Sequence, residues 1–145
     1  MASAQNEREL SFIPYQPAAE EEYMNDAQLA HFRKILLDWK EQLISEAEST
    51  KSYIQDESTA MPDINDRATQ EEEFALALRT RDRERKLIRK IDKSIAEIDS
   101  GDYGFCETCG VEIGLRRLEA RPTATQCIDC KTLSEIKEKQ AWGHA

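Results

Sequence analysis

Two stretches of this chain repeat apolar positions in alternating steps of three and four. The first runs Leu29, Phe32, Leu36, Trp39, Leu43, Glu46, Thr50 and Tyr53; the second runs Phe74, Ala77, Arg81, Glu84, Ile88, Ile91, Ile95 and Ile98. Such spacing keeps one stripe on one side of an α-helix and is the seam of a coiled coil. Asn25 precedes the first stretch with Gln28 three residues on, the arrangement of a capping box. Gly101 follows the second, at the position where helices often close with positive φ. Between them Pro62 removes a backbone donor and bends the chain. Folded back at Met61 or Pro62, the seams match antiparallel, with Leu29 near Ile95, Leu36 near Ile88 and Glu46 near Ala77. Thirty residues of helix rise about 45 Å. The expected object is a long hairpin, apolar at its base and more polar toward its turn. Two separate helices on a flexible linker is the competing reading, and the register match favours the hairpin.

The turn itself reads "MPDINDRA", residues 61–68, with Asp63 and Asp66 three apart. Either carboxylate can accept backbone N–H groups as the N-cap of the second helix. One residue caps one helix, so the other carboxylate is left exposed at the turn. Both being only capping residues and the pair being a working tip are the two readings.

Beyond Gly101 the patterning changes. "CETCG" and "CIDC" set Cys106, Cys109, Cys127 and Cys130 as C-x2-C-x17-C-x2-C. In a chain without a secretory signal this is the spacing of a tetrahedral four-cysteine zinc site. Four thiolates leave no open position, which makes the metal structural. Paired disulfides suit a secreted protein, and a thioredoxin-type redox site needs a βαβ pattern that is missing. Short strands forming a ribbon are expected across "VEIGLRRLEARPTATQ", with Pro122 starting the return. "KTLSEIKEKQAW" reads as a C-terminal helix. The expected organisation is an N-terminal segment at 1–25, a hairpin at 26–100, a zinc module at 101–132 and a helix at 133–145.

Composition narrows the function. Charged residues make up 34% of the 145-residue chain and hydrophobic ones 39%, which favours solvated helices over a thick core. The N-terminus has no basic-then-apolar signal, and no run reaches the roughly 18 apolar residues of a membrane span. A cytoplasmic protein is expected. The net charge of −9 is uneven: residues 1–73 hold 17 acidic and 6 basic side chains, residues 74–145 hold 12 and 14. General or sequence-specific DNA binding is not expected from that balance, and the acidic excess can simply serve solubility. Residues 79–93 contain eight basic side chains and three acidic ones. They read either as a solvated helix with pairs such as Asp82–Lys86, or as half of a phosphate pocket. In the second case Lys90 and Lys93 would be joined by Arg116, Arg117, Arg121 and Lys131. No catalytic set is present: His31 is expected at the surface, His144 lies at the terminus, and two exposed aspartates hold Mg²⁺ weakly. The expectation is a protein that is not an enzyme.

The hairpin with D-x-x-D-x-A at its turn (Asp63, Asp66, Ala68), "RDRERKLIRKI", "CETCGVEIGLRRLEARPTA" and "CIDCK" together closely resemble the DksA/TraR family of RNA polymerase-binding transcription factors. The likeness runs from about residue 20 to residue 141. It implies a fold that is mainly α: a long antiparallel coiled-coil hairpin on a small four-cysteine, zinc-ribbon-like module with a C-terminal helix. It also implies a monomer that binds bacterial RNA polymerase, not DNA, and passes its turn through the secondary channel toward the active site. There Asp63, Asp66 and Ala68 would act to destabilise open promoter complexes. Ribosomal RNA promoters would be inhibited and some others favoured, as in the stringent response. The positions matching the family's ppGpp contacts are Leu87, Lys90, Arg121 and Lys131. One structural Zn²⁺ would be held by Cys106, Cys109, Cys127 and Cys130. A zinc-module adaptor for another protein, and a secondary-channel factor that stimulates transcript cleavage, are the alternatives.

Overall fold

The computed structural model describes residues 13–59 and 64–143, with side chains for 13–56 and 67–142. Among the described residues four helices follow one another: α1 (Asp26–Thr59), α2 (Ile64–Ser100), α3 (Leu115–Ala120) and α4 (Ile128–Gly143). No named strand occurs among the described residues. The chain divides into two compact units, one of residues 1–36 with 94–145 and one of residues 37–93.

The heptad reading of α1 and α2 holds. Every seam position except Glu46 is buried or half-buried. Phe32, Leu36, Leu43, Ile91 and Ile98 are among the buried core residues. Pairing is antiparallel, because Arg33 of α1 meets Asp99 of α2 and Lys40 meets Asp92 at 2.6 Å. Nearer the turn, the Tyr53 hydroxyl donates to Glu73 at 3.0 Å. These partners lie further along α2 than the expected register would bring them. Part of the offset is reach: side chains lean toward the N-terminus of their own helix, which in an antiparallel pair points along the C-terminal end of the other. The partially exposed ion pairs add little stability. The buried seam supplies most of it, at about 1.5–3 kcal/mol per fully buried large apolar side chain.

The helix ends obey their local chemistry. The Gln28 N–H donates to Asn25 Oδ1 at 2.8 Å, so Asn25 is the N-cap of α1. Gln28 returns the favour one residue earlier than a standard box, accepting from the Met24 N–H at 2.7 Å. That contact fixes the entry of the chain and satisfies a side chain that is fully buried. At the other end, Gly101 (φ 85) donates to the Ile98 carbonyl and Asp102 donates to that of Glu97. This is the two-bond Schellman closure of α2.

In the unit holding residues 94–145, Tyr103, Phe32, Leu118 and Pro122 are fully buried. The Tyr103 ring sits 5.7 Å from that of Phe32, and its hydroxyl donates to the Pro122 carbonyl at 2.7 Å. Residues 115–120 are helical, where a ribbon of strands was expected; the only pairing of that kind among the described residues is a single bridge between Phe105 and Glu112. "LRRLEA" consists of strong helix formers, and one turn suffices to bury Leu118. The C-terminal helix begins at Ile128, earlier than expected, and so carries Cys130 in its first turn. His31, expected at the surface, is half-buried between Tyr15 (ring centroids 5.3 Å) and Phe32 (5.1 Å). Burial holds its imidazole below the ordinary value, with the Glu119 charge opposing. Of the N-terminal segment, Phe12 lies outside the described residues and Ile13 is exposed. Tyr15 makes the contact, its N–H donating to Glu119 of α3 at 3.3 Å.

Among Gly101, Gly104, Gly110 and Gly114, Gly104 is the most constrained. Its φ is 92, and a Cβ there would lie 2.9 Å from Met24 Cγ and 3.1 Å from the Tyr23 hydroxyl oxygen. Gly101 shares a positive φ but faces open space. Gly104→Ala is therefore expected to cost about 2 kcal/mol or more, and Gly101→Ala about half that. Urea denaturation of the zinc-loaded protein measures both; equal losses would refute the steric argument.

Candidate metal centre and functional residues

The two cysteine pairs are placed by different local structures. Cys106 and Cys109 sit on a knuckle closed by two backbone bonds: the Cys106 N–H donates to the Val111 carbonyl at 2.8 Å, and the Gly110 N–H to the Cys106 carbonyl at 2.9 Å. Gly110, at φ 79, turns the chain after the second sulfur. Cys127 and Cys130 sit at the start of α4, where the Lys131 N–H donates to the Cys127 carbonyl at 3.0 Å. A further bond, from the Glu107 N–H to the Thr125 carbonyl at 2.8 Å, ties one knuckle to the approach of the other. Tyr23 braces the first knuckle from outside. Its hydroxyl donates to the Gly104 carbonyl at 2.7 Å and accepts from the Gly114 N–H at 3.0 Å. Neither Tyr23 nor Tyr103 stood out in the sequence. An aromatic beside a glycine and a cysteine, as in "DYGFC", is the only signal that pointed there.

All four Sγ atoms lie within 4.8 Å of one another. Cys109 and Cys127 are 3.7 Å apart at sulfur, against about 3.8 Å for two ligands of a tetrahedral zinc with bonds of about 2.3 Å. The Thr108 N–H donates to Cys106 Sγ at 3.4 Å and the Cys130 N–H to Cys127 Sγ at 3.5 Å, bonds that favour thiolates. Burial pushes the Cys106 thiol up, but the N–H groups around it outweigh that and hold it down to about 6. Cys130 goes the other way, pushed up to about 12 by its bonds to Cys127 and Cys109. Four thiols that cannot ionise together form a donor set completed by a dication. The residues fit zinc, and a closed four-sulfur shell makes it structural.

The other expected site residues are distributed as follows. Asp63 lies outside the described residues. Asp66 is in the first turn of α2, inside the helix, so it is not the residue that precedes and caps it. Ala68 is exposed on the next turn. Leu87 is half-buried and Lys90 exposed on α2, both in the unit of residues 37–93. Arg121 and Lys131 belong to the other unit. Arg121 is exposed at the C-terminal end of α3, its N–H donating to the Arg117 carbonyl at 2.8 Å. Lys131 is half-buried beside Cys130. Of the other arginines weighed for an anion pocket, Arg117 has a structural task, its Nε donating to the Gln126 carbonyl at 3.1 Å. No helix among the described residues is long and apolar enough to cross a membrane.

Comparison with known proteins agrees with this arrangement. Residues 28–98 match the family model described as DnaK suppressor protein DksA, N-terminal domain, and residues 101–135 match the prokaryotic dksA/traR C4-type zinc finger. The chain is 62% identical over 130 residues to the RNA polymerase-binding transcription factor DksA of Escherichia coli (strain K12), covering 90% of this chain and 86% of that protein. It is 61% identical to the protein of the same name from Haemophilus influenzae, covering 90% of each. Among solved structures, transcription factor DksA2 from Pseudomonas aeruginosa superposes with a TM-score of 0.78 at 39% identity, over 92% of this chain and 98% of that one. With both halves matched in order and nine-tenths of the length aligned at such identity, the chain belongs to the DksA/TraR family.

Proposed function

We propose that this protein regulates transcription by binding RNA polymerase directly. Residues 61–68 enter the secondary channel, and Asp63, Asp66 and Ala68 act there to destabilise open promoter complexes. ppGpp strengthens the effect through Leu87, Lys90, Arg121 and Lys131, repressing ribosomal RNA promoters and favouring some others. The observation that carries this reading is the 62% identity to a protein named as an RNA polymerase-binding transcription factor, spanning the turn, the second helix and the zinc module together. Lys90 and Arg121 are exposed cations, a chemistry suited to phosphate oxygens. The acidic balance of the chain favours a protein partner over bare DNA.

In vitro transcription from a ribosomal RNA promoter tests it. Wild-type protein is expected to inhibit, and ppGpp to deepen the inhibition. Lys90→Ala is expected to keep inhibition without the nucleotide and to lose most of the ppGpp increment, since one charge-assisted contact is worth about 1.5–3 kcal/mol. A ppGpp increment that survives this change unaltered removes Lys90 from the site. Absence of any effect on transcription, with the protein folded and zinc-loaded, removes the reading.

A further inference from the structure

The seam of α1 and α2 buries a carboxylate where its isoleucine-rich part gives way to its polar part. Glu84 occupies a seam position in the unit of residues 37–93, between Ile88, Ile91, Ile95 and Ile98 on one side and Arg81, Ala77 and Phe74 on the other, and it is 9% exposed. Its Oε2 is buried without a hydrogen-bond partner. Burying a carboxylate is costly unless it is paired. Here the titratable group facing it from α1 is Glu46, which is itself steadied by a bond from Gln42 Nε2 at 3.4 Å. On α2, Arg81 is half-buried a turn earlier, and no bond from it reaches Glu84 Oε2. Lys86 is engaged by Asp82 at 3.3 Å, and Lys40 of α1 by Asp92. Among the described residues of this unit, α1 and α2 are the only elements.

We propose that the Glu46–Glu84 layer is the built-in opening point of the α1/α2 pair, parting first when Glu84 is ionised and closing when it carries a proton. A seam that served only to hold the helices would carry an apolar residue at a position this buried. A buried carboxylate opposite a second carboxylate instead gives the pair a place where separation relieves both desolvation and repulsion. Burial, and after it the Glu46 charge, push the Glu84 carboxyl above its ordinary value. The sign follows from that direction: the ionised form is disfavoured in the closed pair. The layer is tightest at low pH and loosens as pH rises from the ordinary carboxyl value through the raised one. Leu43 and Ile91, buried toward the apolar end, hold the pair on that side. Both strands of chain leading to residues 61–68 pass through the layer, so its opening loosens their mutual support.

Hydrogen exchange on the full-length, zinc-loaded protein tests this, at about pH 7.5 and about pH 5.5 with intrinsic exchange corrected. In wild type, peptides covering residues 40–50 and 80–88 are expected to be several-fold less protected at the higher pH. Glu84→Gln, which keeps shape and removes the charge, is expected to hold them protected at both pH values. Glu46→Gln is expected to remove part of the pH dependence, and Glu41→Gln, an exposed residue on the same helix, none of it. Should Glu84→Gln fail to fold, Glu46→Gln carries the test by itself. A pH dependence in these peptides that is absent in wild type, or unchanged by Glu84→Gln or by Glu46→Gln, overturns the proposal.

Discussion

Replacing Cys127 with serine is expected to abolish stoichiometric zinc and, with it, the fold of residues 101–132. Cys127 is buried with its sulfur 3.7 Å from that of Cys109, and a serine hydroxyl is a poor substitute for a thiolate. The stretch between the cysteine pairs has little else to hold it. The large fully buried side chains of residues 101–132 are Tyr103, Leu118 and Pro122, worth a few kcal/mol of burial between them. Structural zinc in small domains contributes an apparent 10–16 kcal/mol or so of folding free energy. The metal is thus the larger contribution by several-fold, and losing a ligand should undo the module. Atomic emission gives the zinc content. The near-ultraviolet dichroism of the tyrosines reports the module, and far-ultraviolet dichroism the helices. The seam of α1 and α2 in residues 37–93 is independent of the metal and should keep most of the helical signal. A module that stays ordered, with Tyr103 still in its chiral environment after zinc has gone, would show that the hydrogen bonds around Tyr23 and Tyr103 suffice.

Asp66→Asn is the second large effect, and it is expected to be functional. Asp66 lies inside the first turn of α2, where a negative charge gains about 0.3–1 kcal/mol from the helix dipole. The amide forfeits at most that, so folding and zinc content should be close to wild type. Affinity for polymerase is expected to change by less than about twofold, while inhibition of a ribosomal RNA promoter falls by about tenfold or more, a difference of about 1.4 kcal/mol in the step it acts on. Competition binding and promoter assays on the same preparations separate the two quantities. Equal losses of helix stability and of inhibition would return Asp66 to a purely helical role. The same variant distinguishes the two readings of "MPDINDRA", because a capping residue lies outside the helix it caps and Asp66 does not.

Much of the arrangement was legible in the sequence because it depends on short-range periodicity. Seam burial follows from the alternating three-and-four steps, whatever the partner helix does. The Asn25 cap and the Gly101 closure depend only on a few consecutive residues. The cysteine spacing identifies its metal because few other arrangements of four thiols in two C-x2-C pairs satisfy the same chemistry. Residues 111–126 were misread as strands since a zinc ribbon is the common companion of that spacing, although "LRRLEA" already favoured a helix.

The sequence by itself determined the seam, both caps and the metal donors, since each of these is settled by neighbours within one or two turns. Tertiary structure alone decided how far α2 is displaced along α1. It also decided that Tyr23 and Tyr103 would spend their hydroxyls on the carbonyls of Gly104 and Pro122. The same holds for Glu84, whose seam position was legible but whose unpaired oxygen was not. Such outcomes depend on which groups from distant parts of the chain arrive at the same point, and burial then enforces whatever pairing, or lack of it, that meeting leaves.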